Sequence, residues 1–196
     1  MKTPSTQQPF DPLLRMLHAW NAIAMVGLIA TALLAEAFEH GLWEATLWRS
    51  HVQIGYALIG GLLTRLLWGL FGPEFARWSD LWHPEEWMAM LRGRFRASPR
   101  RGHDAGASAV FLVLYLVLFL MAASGSVLAS LEYEMGPLAA ILSYDRGVKH
   151  FFKEIHEAGF GAVLGFIALH LGALAVHRFV LRAPVGPKMV GGMRAG

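Results

Sequence analysis

Residues 109–129 contain no charged side chain, and residues 158–176 contain one ionisable group, His170. A helix needs roughly 20 predominantly apolar residues to cross the hydrocarbon core of a bilayer. With 55% of the chain hydrophobic and only 16% charged, it is too apolar for an ordinary soluble domain of 196 residues. The expected fold is all-α and integral to the membrane: a four-helix transmembrane bundle, with helices over about 13–38, 50–71, 107–130 and 153–182. Residues 1–12 and 183–196 flank this single domain. The apolar run that starts near residue 13 is long for a signal peptide. Cleavage after it would discard His18, so it is read as a retained span.

The second and third helices are joined by a long polar connection, residues 72–106. It carries Trp78, Trp82, His83 and the basic residues Arg92, Arg94, Arg96, Arg100 and Arg101. Pro84 followed by Glu85 and Glu86 suits the opening of a short surface helix. Most of the 17 lysines and arginines fall in the N-terminus, this connection and the C-terminal tail. The positive-inside rule then places both termini in the cytoplasm. It also explains a pI near 9.5 without nucleic acid. The opposite face holds Arg49, Arg146, Lys149 and Lys153 among eight acids: Glu36, Glu39, Glu44, Glu132, Glu134, Asp145, Glu154 and Glu157. An acidic outer face favours encounter with a basic soluble partner.

Ionisable groups within membrane spans are costly and point to function. His156 and His170 are fourteen residues apart on the fourth helix, which is about 40° short of four full turns and a rise of about 21 Å. They share one face at two depths. His51 opens the second helix and His18 lies near the start of the first. Alternating helix direction makes two level pairs, His51 with His156 in the outer half and His18 with His170 in the inner half. Each pair suits axial ligation of one haem iron by two imidazoles, the six-coordinate arrangement of electron-transfer haems. With no cysteine in the chain, a C-x-x-C-H attachment is excluded and the two haems b are expected to be non-covalent. Arg65, fourteen residues after His51, occupies the inner layer on the same face and is expected to bind a haem propionate. His177, seven residues after His170, suits a propionate, a quinone head group, the lipid interface or a place as ligand instead of His170.

The sequence resembles the bacterial cytochrome b-561 family, which shares its fold with the b-type cytochrome subunits of membrane nickel–iron hydrogenases. The resemblance rests on Arg15-Met-Leu-His18-Ala-Trp20, on His51-Val-Gln-Ile-Gly55 with Thr64-Arg65-Leu-Leu-Trp68, and on His156 with His170 and His177. The segments running from Gly69 to Asp80 and from Arg101 to Gly106 resemble a subgroup thought to exchange electrons with periplasmic c-type cytochromes. The resemblance implies His18, His51, His156 and His170 as haem ligands, Arg15 as a further cofactor contact, and quinone-linked electron transfer in the bacterial inner membrane. Superoxide:ubiquinone oxidoreductase activity, and a haem-bearing anchor for a hydrogenase-like or dehydrogenase-like complex, are the alternatives. A bound quinone and a homodimer stay open. Where many relatives carry an Arg-Asp pair, this chain has Arg182-Ala183-Pro184, so any contact of that aspartate is not carried over.

Overall fold

The computed structural model describes residues 11–73, 76–93 and 105–180. Among these, the chain forms five α-helices and no strand: α1 Pro12–Ala37, α2 Glu44–Phe71, α3 Pro84–Leu91, α4 Ala105–Tyr133 and α5 Arg146–Ala175. A π-helical turn, Val176–Val180, continues α5, and a 3-10 turn, Trp78–Leu81, precedes α3. Four of the helices are long and apolar enough to cross a membrane. Their outward side chains are large and apolar, including Ile23, Val26, Phe119 and Leu169, all more than half exposed. That suits contact with lipid, which has no aversion to leucine or phenylalanine. The short helix expected after His83 is α3, whose first turn holds Pro84, Glu85 and Glu86.

Two helices begin well before their apolar runs. α2 starts at Glu44 and α5 at Arg146, six or seven residues earlier than apolar length alone suggests. At α5 a cap accounts for the early start, whereas α2 begins with no side-chain cap. Asp145 caps α5 by accepting a hydrogen bond from the Val148 amide at 2.8 Å, which satisfies one of the orphan donors of a helix start. Lys153 then pairs with Glu157 one turn along, at 3.6 Å. At the other end of the chain, Asp11 accepts from the Leu13 amide at 3.0 Å, and Pro12 suits the first turn of α1.

α1 packs on α2 and α4 packs on α5, and the two hairpins meet chiefly through α2 and α4. Both hairpins are antiparallel. In the first, Trp20 donates its indole N–H to the Ala57 carbonyl at 3.1 Å, and Trp68 donates to the Asp11 carboxylate. A Cβ on Gly61 would overlap Asn21 and Trp20, so the close approach of α1 requires glycine there. In the second, Gly125 faces His156 and Phe111 meets Phe166 at 6.3 Å between ring centroids. The bundle therefore has a terminal end, where α1 and α4 begin and α2 and α5 finish, and a turn end. At the turn end His40 takes the left-handed conformation (φ 65°) and its amide donates to Glu44 at 2.8 Å. Gly136 (φ 89°) lets the α4–α5 connection lie against Tyr56, where any side chain would collide with the phenol.

Candidate functional site

Helix geometry brings His51, Arg65, His156 and His170 to one seam. On α2, Leu58 lies midway between His51 and Arg65 and is buried. On α5, Val163 lies midway between His156 and His170 and is 2% exposed. Seven residues make nearly two turns, so each apolar residue shares the face of the polar pair that brackets it. The seam thus has a turn layer and a terminal layer, separated by Leu58 and Val163.

The turn layer is closely organised. The His51 and His156 rings face each other with centroids 6.4 Å apart at 74°. Two imidazoles bound on opposite sides of one metal, with bonds of about 2.0 Å, would place their centroids about 6 Å apart. The Nδ1 atoms are engaged elsewhere. His51 Nδ1 lies 3.1 Å from the Leu28 carbonyl and 3.2 Å from the Thr31 hydroxyl. A carbonyl only accepts, so Nδ1 carries the proton and Nε2 keeps its lone pair for a metal. His156 Nδ1 lies 3.1 Å from the Ser124 hydroxyl, which itself donates to the Met121 carbonyl at 3.2 Å. Gly125 lets α4 pass close to this ring: a Cβ there would stand 3.0 Å from His156 Cε1. Trp48 adds an edge contact to His51 at 5.7 Å.

The terminal layer is built differently. His18 is exposed on α1, while His170 is half-buried and within electrostatic reach of it. The His170 ring stacks on Phe166 at 5.8 Å and 11°. Arg65 stands at the same end of the seam. The register set by Trp20 on Ala57 and by Trp68 on Asp11 puts Arg65 between about one and two turns from His18. Its Nη1 is buried without a hydrogen-bond partner, an expensive condition for a guanidinium. Arg15 is half-buried on α1, one turn before His18. His177 falls in the π-helical turn, and its side chain lies outside the described residues.

The other histidines scatter. His150 is exposed and pairs with Glu154 at 3.4 Å. His103 lies outside the described residues. His83 was expected to be an ordinary loop residue, yet it is 2% exposed, 2.9 Å from Glu86 and 6.3 Å edge-on to Trp87. The motif at Pro84 predicts the helix there, but not which loop side chain it covers. No group of three or more His, Cys, Asp or Glu assembles among the described residues.

The family model described as prokaryotic cytochrome b561 matches residues 9–192, nearly the whole chain. No curated protein and no solved structure matches it.

Proposed function

The chain belongs to the prokaryotic cytochrome b561 family, and from that premise we propose that its four seam histidines hold two b-type haems which carry electrons across a bacterial cytoplasmic membrane. Membership makes it a multi-pass membrane b-type cytochrome working in electron transfer. The observation that carries the finer reading is the turn layer, with two opposed imidazoles whose outer nitrogens are already tied and whose inner nitrogens are left for iron. In this reading His51 and His156 hold one haem, and His18 and His170 the other.

A bis-imidazole haem supplies a one-electron carrier with no open coordination position. The protein groups do the rest. Leu28, Thr31 and Ser124 fix the tautomer and tilt of the turn-layer ligands. The unpartnered Arg65 Nη1 fits a propionate oxygen, because a buried guanidinium needs an anion or acceptor. Arg15 is the second cation at that end. Leu58 and Val163 keep the space between the layers dry.

With both termini in the cytoplasm, as the distribution of Lys and Arg favours, the terminal layer is the inner one. Electrons then pass between the quinone pool and a periplasmic redox partner such as a c-type cytochrome. The acids of the turn end suit a basic partner. Superoxide oxidation at that end would need accessible cations near His156. Of the cations Arg146, Lys149 and Lys153 near His156, Lys149 pairs with Glu132 at 3.1 Å and Lys153 with Glu157, so two of the three are offset. Carrier function is therefore favoured.

The test is a pyridine haemochrome count on purified protein. Two haems b per chain are expected. One per chain would remove one layer from the scheme. None, from cells supplied with haem, would overturn it.

A further inference from the structure

Trp78 lies in the connection between α2 and α3, yet its indole is folded back onto the terminal end of the bundle. Its Nε1–H donates to the Leu66 carbonyl at 3.0 Å. Gly69 makes room for it, since a Cβ there would overlap the indole ring. Tyr115 of α4 meets the ring edge-on at 4.9 Å and 79°. Above the ring, the Arg65 guanidinium sits with its central carbon 4.8 Å from the centroid, and Tyr115 neighbours the same guanidinium. The connection is itself held in place, because Arg77 donates to the Gly72 carbonyl at 2.9 Å. Arg65 thus has an aromatic ring fixed against it on one side, while Nη1 is buried and unpartnered.

We propose that Trp78 is a positioning residue that clamps the Arg65 guanidinium at the terminal-layer haem and thereby raises that haem's reduction potential. The proposal rests on the two-haem reading above. A long arginine side chain has several rotamers, and a free one turns toward water at the membrane surface. The indole face offers a cation–π contact that strengthens as water is excluded. Together with Gly69 and Tyr115 it restricts the guanidinium to the seam. A fixed positive charge in a low-dielectric setting favours the state with one more electron. The turn layer has no such clamp, so the effect is confined to one haem.

The test is an optical redox titration of both haems in the full-length protein, with haem counted in every sample. Trp78→Leu is expected to lower the reduction equilibrium constant of the terminal-layer haem about tenfold, which is about 59 mV for a one-electron couple. The other haem stays where it was. Trp78→Phe, which keeps a ring face and loses the bond to Leu66, recovers more than half of the shift. Arg65→Gln shifts the same haem at least as far, and adding Trp78→Leu to it produces little more. Should Trp78→Leu lose haem, the cycle is run with Trp78→Phe and Arg65→Gln. Shifts that add in full, or an unmoved potential in Trp78 variants that hold both haems, overturn the clamp. Wild-type protein without haem overturns the functional reading instead.

Discussion

The two layers of the seam both present histidines and organise their polar groups by different means. At the turn layer, everything that orients an imidazole comes from the helices themselves: a carbonyl of α1, a hydroxyl of α1, a hydroxyl of α4 and a glycine that lets α4 pass close. At the terminal layer His18 is exposed and His170 rests on Phe166. The organised group there is Arg65, and part of what organises it arrives from a connection. The difference follows from chain topology. Short connections at the turn end hold neighbouring helices in tight register, whereas the terminal end is bridged by a long segment that has room to insert an indole. One layer orients imidazole rings, and the other holds a charge.

The largest predicted effect separates the layers outright. His156→Ala should remove the turn-layer haem and leave its partner, halving the haem b count per chain. His170→Ala should do the converse. If either substitution strips both haems, the layers are not independent and the comparison fails. Next in size is Gly125→Val. Its branched side chain must displace the His156 imidazole or the α4 backbone, and overpacking of this kind costs about 1–3 kcal/mol. Loss or broadening of one haem signal is expected, together with a lower melting temperature. Gly69→Val should mirror it at the other layer by evicting Trp78. It should leave the turn-layer spectrum intact and shift only the terminal-layer potential.

The helices and the histidine layers were legible from spacing, because a helix converts fourteen residues into nearly the same face and a known depth. His51, Arg65, His156 and His170 all sit on the seam that this arithmetic predicts, and Leu58 and Val163 supply its apolar midpoint. Less was legible where contacts are tertiary. Nothing local to Trp78 says that it returns to α2; the nearest signal is Gly69, whose missing side chain leaves room for the indole. The burial of His83, which the sequence places only in the polar connection, was hidden for the same reason, since it depends on Trp87, whose indole donates to the Ala105 carbonyl at 2.7 Å and pins α3 to the start of α4. The early start of α5 escaped apolar counting because the Asp145 cap, not lipid, sustains its first turn; α2 begins at Glu44 with no side-chain cap. Lys149 finds its partner Glu132 only when α4 and α5 pack together, whereas the Lys153–Glu157 pair is local to α5.

The finest test of the comparison lies in the hydroxyls of the turn layer. His51 has two neighbours at Nδ1, the Leu28 carbonyl and the Thr31 hydroxyl. His156 has the Ser124 hydroxyl. Thr31 also donates to the Gly27 carbonyl at 2.8 Å, so its oxygen is the acceptor side of any bond to the imidazole. Thr31→Val keeps the shape and removes that oxygen, but the Leu28 carbonyl remains to hold the tautomer. The expected loss is a single net hydrogen bond, about 1 kcal/mol, seen as a small drop in melting temperature with both haems retained. Ser124→Ala removes the hydroxyl at His156 Nδ1 and should perturb the turn-layer haem more, read as a change in its midpoint potential or low-spin signal. If Thr31→Val instead exceeds Ser124→Ala, the helix carbonyl is not the dominant partner of His51. The turn layer would then depend, as the terminal layer does, on side chains and not on backbone.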